Sequence, residues 1–268
     1  MKLARLAVGA CSLTAVGTAQ VLPGEFLVNT RSPSALDHYR VDGTLVQSHP
    51  LPGQPGSGAA VTDDGLWVAT RHAPASGLIV YDPVADAELV DVDTPSIAFP
   101  GDVEVLSDGT IVVADFFSGD LGHFDAAGNL LATWSVPGAS WIAWLTVDAA
   151  DEVWCTDFCS RAIYHLDAAG NLLGTIPIAV AMKDLVRAAD GTLWMVTASC
   201  SGKLFHYCAS GQPLGVVDTG LACLFSIAVA PDGTLWASDG PDGHLHQFDE
   251  TGNLLGSFPV AGGAGAYT

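Results

Sequence analysis

An internal repeat of about forty residues constrains this chain more than any other feature. Its clearest copy reads IAVAPDGTLWASD from Ile227, then LHQFD from Leu245, and ends with GNLLGSF from Gly252. It contains an alternating strand, an Asp-Gly turn, a second strand with Leu-Trp, a third strand ending in Asp, and a Gly-Asn turn before a fourth strand. One repeat therefore predicts one antiparallel sheet of four short strands.

The same turns recur upstream at regular intervals. The later turn returns every 41 to 43 residues, at Gly43, Asp86, Gly128, Gly170, Gly211 and Gly252. This interval is typical of a four-stranded propeller blade. The fold class predicted is all-β, a six-bladed β-propeller of four-stranded antiparallel blades, because a β-sandwich would not require the whole motif to repeat in register.

The N-terminus has the pattern of an export signal. Lys2 and Arg5 precede an apolar run that is followed by small residues at Gly17 and Ala19. We expect residues 1–19 to be a signal peptide, residues 20–268 to be a single propeller domain, and the protein to be secreted or periplasmic. A buried N-terminal strand and a lipoprotein signal ending at Cys11 are the alternatives.

The first copy of the repeat begins at its second strand, near Glu25, so it lacks a first strand of its own. We expect the C-terminal segment that ends at Thr268 to supply this strand, because closure of the ring protects the sheet edges.

Composition excludes some partners. The chain has 9 Lys and Arg against 29 Asp and Glu, a net charge of −20, and such a surface repels the phosphates of nucleic acid. Beyond the leader, no apolar segment has the length of a membrane span. We expect a monomer that binds neither nucleic acid nor a bilayer.

Cysteines outside the leader are odd in number, at Cys155, Cys159, Cys200, Cys208 and Cys223. None forms a zinc-binding motif with its neighbours. Because Cys159 and Cys200 occupy nearly equivalent loop positions on adjacent blades, we expect them to form a disulfide.

Residues 102–125, DVEVLSDGTIVVADFFSGDLGHFD, resemble an NHL repeat, and the Leu-Trp copies at Leu66, Leu193 and Leu235 are similar to streptogramin-lyase propellers. This resemblance implies a propeller over nearly the whole chain. It also implies two classes of function: a module that binds a ligand or partner through its axial face, or a divalent-cation-dependent enzyme. The enzyme would be a lyase like streptogramin lyase or a lactonase of the SMP-30 and gluconolactonase kind.

Two aromatic series obey the repeat. Trp67, Trp154, Trp194 and Trp236 share a second-strand position, and His38, His123, His165 and His206 share a third-strand position. Equivalent positions are rotated around the ring, so neither series can form one surface or one metal site. We expect both to pack between blades.

Departures from the repeat are better candidates for a site. At the start of the first strand, where the strands converge on the axis, the copies carry Gly58, Asp102, Trp144, Asp184 and Ser226, and Glu104 replaces a small or apolar residue one register deeper. We predict a ligand-binding site at the mouth of the axial channel, formed by Asp102, Glu104, Trp144, Lys183, Asp184 and Ser226.

The acidic members of this site admit several readings. Oxygen ligands from Asp102, Glu104 and Asp184 would suit Ca²⁺ or Mg²⁺. Alternatively, Glu104 pairs with Lys183 or Arg187, or is protonated. A third alternative is that these carboxylates are ordinary surface charges at a solvated channel mouth and bind no ligand.

Other side chains map to the same face. Basic residues are predicted in its loops at Arg31, Arg71, Arg161 and Lys203, and aromatic residues at Phe116, Phe117, Trp141, Phe158 and Phe225. This combination favours a small or medium ligand with an anionic group, and an extracellular protein or glycan is the alternative partner. Because no catalytic motif is legible, catalytic residues are unassigned and recognition is the leading hypothesis.

Overall fold

The computed structural model describes residues 5–8, 11–16, 25–31, 34–40, 42, 44–51, 53–73, 75–197, 199, 201–230, 232–239 and 243–259. These residues form antiparallel sheets whose strands follow one another in chain order. The N-terminal sheet contains β1 (Arg5–Val8), β2 (Cys11–Val16), β3 (Glu25–Arg31), β4 (Ser34–Tyr39) and β5 (Leu45–Pro50).

Five further sheets have four strands each, and we call them blades I to V. Blade I contains β6 (Gln54–Val61), β7 (Trp67–Ala73), β8 (Gly77–Asp82) and β9 (Ala87–Asp93). Blade II contains β10 (Pro100–Val105), β11 (Ile111–Asp115), β12 (Asp120–Phe124) and β13 (Leu130–Ser135). Blade III contains β14 (Ile142–Val147), β15 (Val153–Asp157), β16 (Ala162–Leu166) and β17 (Leu172–Pro177).

The last two blades complete the chain order. Blade IV contains β18 (Met182–Arg187), β19 (Leu193–Thr197), β20 (Lys203–Tyr207) and β21 (Pro213–Asp218). Blade V contains β22 (Ser226–Val229), β23 (Leu235–Asp239), β24 (His244–Phe248) and β25 (Leu254–Pro259). In the part of the chain that the structure describes, no helix is long and apolar enough to cross a membrane.

The predicted propeller of four-stranded antiparallel blades is confirmed for blades I to V, but the count of six such blades is corrected. The N-terminal sheet has five strands, because β2 pairs with β3 and β1 pairs with β2 at the edge of the sheet. β1 contacts β22 of blade V and β2 contacts β6 of blade I, so these strands lie where the ring closes. The predicted C-terminal closing strand falls on residues 260–268, which lie outside the described residues. Cleavage of residues 1–19 stays a prediction.

First strands carry irregularities that shape the axial face. The pairing register shifts between Pro100 and Val103 in β10, between Ile142 and Trp144 in β14, and between Met182 and Asp184 in β18. Each shift is a β-bulge, which re-aims the side chains next to it. The predicted site residues of blades II, III and IV therefore stand at or beside bulges.

The core consists of separate apolar clusters between neighbouring sheets. The four repeat tryptophans are at most 3% exposed, which confirms their predicted packing role. The histidine series packs on the same layer: the ring centroids of Trp154 and His165 are 3.7 Å apart, and those of Trp194 and His206 are 4.0 Å apart. These residues hold blades together and do not form a ligand platform.

Candidate functional site

Six aromatic side chains form one connected group on the loop-bearing face of the propeller. We call this group the aromatic cluster, and it consists of His72, Phe99, Phe116, Phe117, Trp141 and Phe158. Ring centroids lie 3.8 Å apart for His72 and Phe99 and 6.0 Å apart for Trp141 and Phe158. Phe117 is 56% exposed and Phe158 is 36% exposed. Connected, exposed aromatic rings are a natural contact surface for a ligand.

Predicted site residue Trp144 lies beneath this cluster. It is 8% exposed, and its ring meets the ring of Phe116 edge to face with centroids 6.1 Å apart. Trp144 therefore packs against the cluster through the ring of Phe116.

The cluster comes from two repeat positions used in neighbouring blades. Phe116 directly follows β11 and Phe158 directly follows β15, and His72 holds the equivalent position in β7. Phe99 directly precedes β10, and Trp141 directly precedes β14. Adjacent blades thus bring equivalent side chains next to one another.

Aspartates at the ends of the second strands hold the cluster loops in place. Asp115 accepts backbone hydrogen bonds from Ala98 at 3.1 Å, and from Phe99 and Phe117 at 3.2 Å each. Asp157 does the same in the next blade, where it accepts from Ser140 at 2.6 Å. Burial works to raise the pKa of Asp157, but the backbone N–H donors around it lower that pKa overall. Asp157 therefore stays ionised, and the hydrogen bonds of both aspartates preorganise the aromatic loops.

Lys183 stands at the same face in blade IV. Its Nζ lies 2.6 Å from the centroid of the Phe225 ring in blade V. Burial lowers the pKa of Lys183 to about 7, although the negative charge of Asp184 opposes this shift. A cation over an aromatic face is stabilised, and an amine with this pKa can be charged or neutral near neutral pH.

Asp102 and Asp184 are buried, and both join neighbouring blades. Oδ2 of Asp102 accepts a hydrogen bond from the backbone N–H of Leu145 at 3.1 Å. Oδ2 of Asp184 accepts from the backbone N–H of Ile227 at 3.0 Å and from the hydroxyl of Ser226. Each carboxylate thus caps the first strand of the next blade. These hydrogen bonds have a structural role, because a buried charge is costly without hydrogen-bond partners.

Comparisons with known proteins agree with this fold. Virginiamycin B lyase from Staphylococcus aureus superimposes with a TM-score of 0.71 at 15% identity, over 97% of this chain and 88% of that one. A catalytically inactive histidine-to-alanine variant of that enzyme, with quinupristin, gives the same values. A streptogramin B lyase structure gives a TM-score of 0.69 at 15% identity, over 88% of this chain and 80% of that one.

The chain has a streptogramin-lyase-like propeller fold. At this identity the likeness concerns the fold alone. No family model matches the sequence, and no curated protein matches it.

The three predicted metal ligands are not brought together. Among the residues that the structure describes, no three His, Cys, Asp or Glu side chains form a group that could hold a metal ion. Asp102 and Asp184 lie on the first strands of blades II and IV, with blade III between them, and both bind the backbone of the next blade. Glu104 pairs in register with Val112 farther along β10. These positions do not favour a shared ion, and binding of Ca²⁺ or Mg²⁺ at Asp102, Glu104 and Asp184 stays a prediction.

Two of the four predicted rim cations, Arg71 and Lys203, lie next to carboxylates of the protein. Arg71 is only 5% exposed and forms ion pairs with Asp91 at 2.8 Å and Asp93 at 2.7 Å. Lys203 lies 3.9 Å from Asp218. The side chain of Arg31 lies outside the described residues. Arg161 is exposed, and no carboxylate pairs with it in the described part of the chain.

A cleft adjoins the aromatic cluster between blades III and IV. Its volume is about 370 Å³, and its walls are Phe158, Arg161, Ala179, Val180, Ala181 and Ser199. Sequence reasoning named Phe158 and Arg161 but missed the cleft, as it missed His72 and Phe99. His72 could have been predicted from the sequence, because it shares the repeat position of Phe116 and Phe158.

The predicted disulfide between Cys159 and Cys200 is wrong. Cys159 is exposed and carries a free thiol, and its backbone N–H is fixed to Oδ1 of Asp157 at 2.7 Å. Cys223 is disulfide-bonded. The nearly equivalent loop positions of Cys159 and Cys200 in adjacent blades were therefore not sufficient to predict a disulfide.

Proposed function

We propose that this protein is a secreted or periplasmic recognition propeller that binds a small molecule at the mouth of its axial channel. The observation that carries the proposal is the aromatic cluster, in which Phe117 and Phe158 are exposed while the loops are fixed by the hydrogen bonds of Asp115 and Asp157. Preformed aromatic walls beside a few polar groups are the usual composition of a ligand site. The proposal assigns Lys183 and Trp144 to the same mouth, and the contact of Trp144 with Phe116 supports this. An extracellular protein or glycan is the alternative partner.

Supporting features concern the compartment and the assembly. The leader pattern and the disulfide of Cys223 both favour an oxidising compartment. The proposed unit is a monomeric ring in which β3, β4 and β5 of the N-terminal sheet form the sixth blade after removal of residues 1–19. Mass analysis of the exported protein would locate the cleavage site, and we expect it before Gln20.

Binding is tested with the neutral fluorescent probe N-phenyl-1-naphthylamine. We expect saturable binding to the wild-type protein, and about tenfold weaker binding when Phe117 and Trp141 are both replaced by alanine, since each aromatic contact contributes roughly 0.5–1.5 kcal/mol beyond its buried area. Leu173→Ala is the matched control, because Leu173 is 53% exposed on the outer strand of blade III. Equal affinity of the double variant and the wild type would refute the proposal.

A second candidate is a lyase that acts at the same mouth. The fold of virginiamycin B lyase and the position of His72 in the aromatic cluster favour it. Nε2 of His72 lies 2.7 Å from the carbonyl oxygen of Pro100, so Nε2 carries the proton and the basic lone pair is on Nδ1. A lactonase of the gluconolactonase kind is the other enzymatic alternative.

Chromatographic assays of quinupristin, with Mg²⁺, with Ca²⁺ and with EDTA, test the lyase candidate. Consumption of quinupristin by the wild type and its loss in His72→Gln would support it, and intact quinupristin in every arm would reject it. Binding of Ca²⁺ or Mg²⁺ at Asp102, Glu104 and Asp184 stays a prediction. Calorimetric titration of both ions into the wild type and Glu104→Gln tests it.

A further inference from the structure

The cleft between blades III and IV combines one cation with apolar walls. Four of its lining residues, Phe158, Ala179, Val180 and Ala181, are apolar, and Arg161 supplies a guanidinium group. Ser199 adds a hydroxyl, which lies 3.1 Å from the hydroxyl of Thr197. Such a lining suits a ligand with an apolar body and one group that accepts hydrogen bonds.

Arg161 is the cation of this lining, and it has no ion-pair partner among the residues that the structure describes. By contrast, Arg71 pairs with Asp91 and Asp93, and Arg187 pairs with Asp148. No described carboxylate forms an ion pair with Arg161, although the whole chain carries 29 acidic residues. A guanidinium group in that position is available to a carboxylate from outside the protein, which it can bind with two parallel hydrogen bonds.

The backbone at Arg161 adds an independent observation. Its φ is 53°, and the other described non-glycine residues with positive φ are Asp86 and Asp151. Aspartate tolerates the left-handed region because its short side chain bonds the nearby backbone, whereas arginine gains nothing comparable. The backbone oxygen of Arg161 accepts a hydrogen bond from Ile178 at 2.9 Å, which holds this conformation. Strained backbone of this kind concentrates at ligand sites.

We infer that this cleft binds a small carboxylic acid with an apolar body, whose carboxylate contacts Arg161 and Ser199 while its body lies against Phe158 and Val180. A volume of about 370 Å³ limits the ligand to fragment size, at the small end of ligand pockets. The site lies beside the axial mouth and does not depend on ligand binding there. The sequence predicted a ligand with an anionic group, and this inference assigns the contact with that group to Arg161 in this cleft.

Phenylacetate and hexanoate, with phenylacetamide and hexanamide as neutral counterparts, are the probes for this site. Calorimetric or ligand-observed NMR titrations of the wild-type protein should show saturable binding of the acids and binding of the amides that is about tenfold or more weaker, because a charge-assisted hydrogen bond is roughly twice as strong as a neutral one. Absence of binding by either acid, or equal binding of acids and amides, would overturn the inference.

Arg161→Asn is the decisive variant, since asparagine favours positive φ and removes the charge. We expect its affinity for the acids to fall about tenfold or more while its Tm equals or exceeds that of the wild type, so that misfolding is excluded. Arg161→Lys should retain part of the affinity, and Leu173→Ala, on the exposed outer strand of blade III, should leave it unchanged. Undiminished binding to Arg161→Asn would place the acids elsewhere and defeat the assignment.

Discussion

The ammonium group of Lys183 lies 2.6 Å from the centroid of the Phe225 ring, and the two residues hold the same repeat position in adjacent blades. Blades IV and V therefore meet at the axial mouth through a cation–π contact. The contact stands directly beside Asp184 and Ser226, which join the same two blades by hydrogen bonds. A partly buried charge is thus built into a joint of the ring.

Replacement of Lys183 by methionine should change stability in a pH-dependent way. The folded pKa of Lys183 is about 7 against 10.5 for an unburied lysine. Between these values the unfolded chain binds the proton and the folded chain does not, so the contribution of Lys183 to stability falls as pH decreases from 10.5 towards 7. We expect Lys183→Met to be more stable than the wild type by about 2 kcal/mol near pH 7, with the difference shrinking as pH rises.

Urea unfolding at several pH values between 7 and 9.5 measures this difference. Lys203→Met is the matched control, because Lys203 is an exposed lysine near Asp218. The interpretation fails if both variants show the same dependence on pH.

Replacement of Asp184 by alanine should loosen the joint between blades IV and V. It would leave the backbone N–H of Ile227 and the hydroxyl of Ser226 without their shared acceptor in a buried environment. Removal of one partner of a buried hydrogen bond to a charged group costs about 1–3 kcal/mol. The free energy of unfolding, measured in urea, should fall by this amount, whereas Asp63→Ala at an exposed position should change it little. A drop no larger than that of Asp63→Ala would contradict the role assigned to Asp184.

Mild acid should lower the stability of the fold through protonation of His206. Burial lowers the pKa of His206 below 6.5, although Asp190 acts in the opposite direction, and the ring stacks on Trp194. Because the folded pKa is lowered, the contribution of His206 is complete above pH 6.5 and is lost as pH falls through the folded value. Thermal unfolding from pH 7.5 to 4.5 should show a smaller loss of Tm for His206→Gln than for the wild type. Parallel curves would show that His206 does not set this dependence.

Thiol labelling should separate the free cysteines. Cys159 is exposed and Cys208 is partly exposed, and a hydrogen bond from Ser210 lowers the pKa of Cys208. Cys155 is fully buried, and burial raises the pKa of its thiol. Native protein should therefore react with 5,5′-dithiobis(2-nitrobenzoate) at Cys159 and Cys208, and at Cys155 only after unfolding. If Cys159 does not react in the native protein and peptide mapping finds a Cys159–Cys200 disulfide, the free thiol assigned to Cys159 would be contradicted.

Local signals in the repeat were sufficient for the blades. The turn at Asp249 and Asn253 bonds its own backbone, with the N–H of Asn253 donating to Asp249 at 2.9 Å, and Gly252 has a φ of 89°. Such turns depend on a few adjacent residues, so their spacing predicts strand order and blade length. The repeat tryptophans were predictable for the same reason, because every blade must bury one face against the next.

The sequence by itself determined the repeat, the four-stranded blades and the apolar layers between them. Only the tertiary structure decided which side chains meet across the ring. Asp102 and Asp184 stood out as departures from the repeat, yet each lies against the next blade and not against the other. Arg71 was predicted at a free rim, but Asp91 and Asp93 of its own blade neutralise it. Pairings between blades depend on how the ring closes and on where the bulges turn the first strands. The sequence of one repeat carries no information about the distance between side chains of different blades.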